Sequence, residues 1–172
     1  MASWMVLGGV IAGVMRGVTG LYDAVVQLDS AMTELMKVTD ETDASYEAFL
    51  SDAADKAVQI GTTYADFVDS TASFARLGYN MEDASQLSEV ANIYAVVGDE
   101  VDGIEGATNS IISTMKAFGI EVDDTMSIVD KFNEVGNRFA ISSGGIGEAM
   151  MRSASAMAEA NNTIDESIAL IV

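Results

Sequence analysis

No proline interrupts this chain of 172 residues. Nowhere, then, does a residue lock φ and delete a backbone donor inside a helix. Ala, Met, Leu and Glu favour helix interiors, and Asp suits first turns. Hydrophobic residues make up 49% of the chain, enough to bury a core rather than leave it disordered. The expectation is an all-α fold: a bundle of about seven to eight amphipathic helices, preceded by an apolar, Gly-rich helix.

Apolar residues recur at the helical period in successive segments, each closed by a polar or glycine break. The first helix is expected to run from Leu21 to about Val38, burying Leu21, Val25, Leu28, Met32 and Leu35 or Met36. After the polar break Thr39–Asp43, a second carries Tyr46, Phe49, Leu50, Ala53, Ala57 and Ile60, with Gly61 suited to a left-handed cap. Thr63 with Asp66 opens a third, which buries Tyr64, Phe67, Val68, Thr71, Phe74 and Leu77. A fourth buries Ala84, Leu87, Val90, Tyr94 and Val97, and an acidic turn spans Gly98 to Gly103. The fifth carries Ile104, Ala107, Ile111, Met115 and Phe118; the sixth carries Val122, Met126, Val129, Phe132 and Val135. Ser142 to Gly147 reads as a loop or weak helix start before a seventh helix with Ile146, Met150, Ala154 and Met157. An eighth begins near Thr163.

A corner recurs within this list. A stop residue is followed three positions on by an apolar residue, then by two acids and a new helix. Gly78 leads to Met81, Glu82 and Asp83; Gly119 to Val122, Asp123 and Asp124; Asn161 to Ile164, Asp165 and Glu166. The spacing describes αα-hairpins. The stop residue takes the left-handed conformation, in which Asn is the usual substitute for Gly. Asn80, Glu121 and Thr163 then stand at the N-cap, and Asp83, Asp124 and Glu166 face the positive end of the new helix. Thr163 with Glu166 is the best capping box, whereas Glu121 is a poor cap and the second corner is weaker.

The chain has no cysteine and no histidine. That removes thiol nucleophiles, disulfides, thiolate–zinc sites and His-based proton transfer. The nearest Ser–Lys pair is Ser113 with Lys116, for which an i, i+3 contact on a helix is the plain explanation. Asp40-Glu41-Asp43, Asp99-Glu100-Asp102 and Asp123-Asp124 lack calcium-loop spacing. They read as helix caps and solvated turns, so no metal, cofactor or catalytic residue is expected. Met126, Met150, Met151 and Met157 are core candidates first and adaptable partner contacts second.

The net charge of −19 opposes nucleic-acid binding and anionic membrane surfaces. It is uneven. Residues 1–38 set Arg16 and Lys37 against Asp23, Asp29 and Glu34, a net of −1, so about −18 falls on the rest. We therefore divide the chain into an apolar Gly-rich segment, 1–20, and a helical core, 21–172. Residues 4–18 are too short, and too interrupted by Arg16, for a clear membrane span of about 20 residues. Gly9, Gly13 and Gly17 would form one smooth stripe on a helix. They mark either an oligomer seam or membrane contact, or simply a cut through a longer helix.

Leu28-Asp29-Ser30-Ala31-Met32, followed by the Thr39–Ser45 break, resembles the entry to the core domain of phage tail tape measure proteins of the TP901 type. Phe74-Ala75-Arg76-Leu77-Gly78-Tyr79-Asn80 resembles a helix end in that family. Ser113 to Ile120 resembles its TxxAFG element, and Ala154 to Val172 the segment that follows. The resemblance covers roughly residues 20–172. It implies a structural virion protein that extends through the tail tube during assembly, helps set tail length and leaves ahead of the DNA at infection. Its implied partners are other copies of itself, then tube, tip and assembly-chaperone proteins. Fully helical, the chain would span only about 260 Å at 1.5 Å per residue, so a longer parent protein is expected. The competing reading is an acidic, membrane-active or secreted interaction module that uses the N-terminal Gly-rich helix.

Overall fold

The structure, a computed structural model, describes residues 22–172, and within them it is all-helical. Eight α-helices follow one another: α1 (22–38), α2 (Asp43–Ile60), α3 (Tyr64–Ala75), α4 (Met81–Val97), α5 (Gly103–Phe118), α6 (Met126–Gly136), α7 (Ser143–Glu159) and α8 (Ile164–Ile171). A 3₁₀ turn, Val122–Asp124, precedes α6. The packing order is close to the chain order: α3 lies on α4, α4 on α5, α5 on α7, and α8 chiefly on α7. Hairpins thus stack in sequence, and one apolar core runs through the stack from Ala31 and Leu35 to Ile168.

Local chemistry sets most of the helix ends. Thr42, Thr63, Asn80, Ser142 and Thr163 each accept a bond from the backbone amide three residues on. Gly61 closes α2 at φ 85°, and its amide donates to the Ala57 carbonyl at 2.9 Å.

The interior is mainly apolar and contains a hydrogen-bonded cluster between α3 and α4. Asn92 donates to Ser70 Oγ (2.9 Å) and to the Ser88 carbonyl (2.8 Å), and accepts from Thr62 (2.8 Å). Ser88 Oγ donates to the Phe67 carbonyl at 2.8 Å and also pairs with Ser70. Satisfied buried polar groups of this kind hold two helices in one register, because sliding them would strand donors in an apolar setting.

Several expectations need correction. Val25, Leu77 and Val97 are exposed; of the alternatives Leu35 or Met36, Leu35 is the buried one, and Leu21 lies outside the described residues. Val25 precedes the part of α1 that meets the core, where Leu28, Ala31, Met32 and Leu35 pack. Leu77 lies beyond the end of α3 and Val97 is the last residue of α4, so neither faces a neighbouring helix. The sixth segment starts as a 3₁₀ turn, with α6 proper beginning at Met126. Of the two readings left open for Ser142 to Gly147, the helix start holds: Ser142 caps α7, and the glycines lie in its first turns.

Candidate functional site

The three recurrent corners share a backbone path and differ in side-chain capping. Gly78, Gly119 and Asn161 have φ of 92°, 62° and 66°. At Gly78 and Gly119 a Cβ would meet nothing within 4 Å, so the left-handed backbone, not crowding, is what favours glycine there. Asn80 accepts from the Asp83 amide at 2.9 Å and donates to the Asp83 carboxylate at 2.8 Å. Thr163 and Glu166 form a complete capping box. The Thr163 backbone amide, and then its hydroxyl, hold the Glu166 carboxyl below its ordinary pKa. At the middle corner Glu121 makes no side-chain cap, and the chain tightens into the 3₁₀ turn that carries Asp123 and Asp124. Gln86 of α4 ties that turn down by donating to Asp123 at 3.1 Å.

The surface is acidic with its cations engaged. Lys37 and Arg76 both pair with Glu34; Lys131 pairs with Asp165, Arg138 with Glu134 and Arg152 with Glu148. Lys56 of α2 bridges Asp52 and Glu89, each at 3.1 Å. Its partial burial opposes the charge, yet those two acids outweigh that and raise its pKa. Lys116 lies 4.7 Å above the Tyr79 ring, which gives it a cation–π partner rather than a role with Ser113. Every lysine and arginine among the described residues therefore has an internal partner. Among those residues no three acids converge on a point that could hold a metal ion.

Of the methionines singled out by sequence, Met150 is fully buried, Met126 and Met157 are half-buried, and Met151 is exposed. Gly9, Gly13 and Gly17, with the whole of residues 4–18, lie outside the described residues. None of the described helices is long and apolar enough to cross a membrane.

Two features escape a reading by periodicity. The first is the seat of α7. The Tyr94 hydroxyl donates to the Ser143 carbonyl at 2.7 Å, and the Gly144 amide donates to the Asp99 carbonyl at 2.9 Å. A Cβ on Gly147 would stand 2.6 Å from that hydroxyl and 2.9 Å from Ser110 Oγ. The second is an open apolar groove of about 550 Å³ between α6 and α8, lined by Val135, Phe139, Ile168 and Val172. Both features are packing surfaces.

No solved structure matches the chain. A family model described as phage-related minor tail protein matches residues 51–172, the span from within α2 to the end of α8 that contains all three recurrent corners. The chain therefore belongs to the phage-related minor tail proteins.

Proposed function

We propose that the chain is a structural assembly module of a tail tape measure protein: it helps set tail length and leaves ahead of the DNA at infection. Family membership makes it a tail component of the virion, and the observation that carries the finer reading is the recurrent hairpin. A helix–stop–helix unit repeats at Gly78, Gly119 and Asn161, and a protein built of such units changes length by adding or losing them. The surface supports passage beside DNA: it is strongly acidic, and every cation among the described residues already has an internal partner. Its partners would be other copies, tube and tip proteins and the tail assembly chaperone. The Gly9, Gly13 and Gly17 stripe is one candidate seam between copies.

The test is an in-frame deletion of residues 120–161 in the encoding phage, with tail length measured by negative-stain microscopy. If the segment lies helical in the tube, tails shorten by roughly 60 Å, at 1.5 Å per deleted residue. Assembled tails of unchanged length would remove the gauge role and leave a minor tail protein of another kind.

A further inference from the structure

Between α2 and α4 the molecule carries a trough that neither the corners nor the seat of α7 account for. The two helices run the same way: Ser45 and Asn80 share one end of an open groove of about 680 Å³, and Lys56 meets Glu89 further along. Past Lys56 and Glu82 the groove continues into a second hollow of about 450 Å³, which reaches the 3₁₀ turn before α6. Five acids line the trough, Glu41, Asp52, Glu82, Glu89 and Asp123, against one cation, Lys56. Lys56 bridges Asp52 and Glu89, and Asp123 accepts from Gln86. Glu41 and Glu82 are exposed and have no ion pair among the described residues. Much of the remaining lining is apolar, with Phe49, Met81, Val90 and Met126. Exposed acids alone would be solvated charge. Ser85 is different: it lines the α4 wall of the groove, is 7% exposed, and its hydroxyl has no hydrogen-bond partner. A serine inside a helix can bond the carbonyl four residues back, as Ser110 does to Gly106 at 2.8 Å. An orphaned buried hydroxyl costs stability, and on the wall of a groove it is a group left for an occupant.

We propose that this trough binds a basic, amphipathic segment of a partner protein, whose arginine or lysine side chains meet the unpaired acids while its apolar side settles between α2 and α4. Recognition of an amphipathic helix by a groove between helices has this form. Charge chooses the occupant. Five acids against one cation leave the trough at −4, so it repels nucleic acid, anionic lipid and a second copy of this acidic chain alike. Lys56 already shows how a basic side chain is held there: its ammonium sits between two carboxylates and 6.0 Å from the centre of the Phe67 ring. Met81 lies one turn before Ser85 on the same side of α4. Its flexible thioether chain can adapt to the occupant and open the hydroxyl to it. The proposal does not depend on the gauge role.

The experiment is fluorescence anisotropy with the full chain at about 0.15 M salt, where screening over roughly 8 Å limits the reach of distant charges. The probe is a labelled peptide of about four helical turns, with leucine and arginine on opposite faces. Its leucine–glutamate counterpart is the control. The arginine peptide should bind and the glutamate peptide should not. Glu41→Gln together with Glu82→Gln should weaken binding about 10-fold. Asp102→Asn with Glu105→Gln makes the same charge change at the start of α5 and should leave binding within about 2-fold. Ser85→Ala is the sharper test. It breaks no bond in the free protein, so stability to urea should hold or rise while affinity falls several-fold. An arginine peptide that does not bind overturns the proposal. So does equal weakening by the two charge pairs, which would mean attraction to the acidic molecule as a whole, or a Ser85→Ala protein that loses stability and keeps its affinity, which would make that serine purely structural.

Discussion

Alanine at Gly144 tests the reasoning at its most crowded point. The residue sits in the first turn of α7, where the helix start presses on the turn between α4 and α5. A Cβ there would lie 2.5 Å from the Glu100 carbonyl carbon, 2.7 Å from the Val101 nitrogen and closer still to the Glu100 oxygen. Real Cβ contacts essentially never fall under 3.0 Å, and all three neighbours are backbone atoms, so no side chain can rotate away. The turn and the helix must separate by about an ångström. Overpacking of this kind costs about 1–3 kcal/mol. The 2.9 Å bond from the Gly144 amide to Asp99 is lost with it, adding about 1 kcal/mol. Against this, alanine gains at most about 1 kcal/mol of helix propensity over glycine. The net expectation is a loss of about 1–3 kcal/mol, which lowers a urea midpoint by about 1 M at a typical slope of about 2 kcal/mol per M. Gly145→Ala is the internal control. Its Cβ would meet only side-chain atoms, Ser142 Oγ at 3.1 Å and Ile141 Cγ1 at 3.3 Å, so it should stay within about 0.5 kcal/mol of the parent as propensity offsets a small adjustment. Urea unfolding followed by circular dichroism at the helical band measures both. A Gly144→Ala protein as stable as the Gly145→Ala protein would refute the close approach and, with it, the account of why these glycines are there.

Two further outcomes follow from single groups. Thr114, within the TxxAFG element, is fully buried and its hydroxyl has no partner; Thr114→Val should raise stability by about 1 kcal/mol by removing an unsatisfied polar atom, and a loss in the same urea assay would show that the hydroxyl is bonded after all. Glu166 has its carboxyl pKa lowered in the fold by the Thr163 amide and hydroxyl, so its contribution is present above the ordinary carboxyl range and lost as pH falls through the lowered value. Glu166→Gln keeps the capping acceptor but should flatten that acid limb. A difference in melting temperature from wild type that does not change with pH between neutral and acid would contradict this.

Much of the fold was legible because its determinants are local. A left-handed stop, an N-cap hydroxyl or amide and a 3.6-residue period each act within a few residues. Gly61, Gly78, Gly119 and Asn161 all adopt positive φ, and Thr63, Asn80 and Thr163 all cap where their spacing to Asp66, Asp83 and Glu166 suggested. Even the poor cap at Glu121 surfaces as a 3₁₀ start in place of a clean helix. The seat of α7 and the groove between α6 and α8 were not legible, because each is formed by residues of different helices. The helical period does not by itself say which apolar positions are covered: Leu87 and Ile128 are buried, and Leu170 is exposed.

By itself, then, the sequence determined an all-helical chain, its hairpin corners and its acidic surface, since torsional preference, capping and net charge need no distant partner. Only the tertiary structure decided which periodic residues are covered: Leu35 inside and Val25 outside on α1, Met150 inside and Met151 outside on α7. It alone brought Tyr94, Ser110 and the Glu100 backbone against Gly144 and Gly147, making those glycines a seat for α7 where their composition left a loop or a weak helix start open. The reason is that burial and close approach belong to pairs of surfaces, and one strand of residues carries only half of each pair.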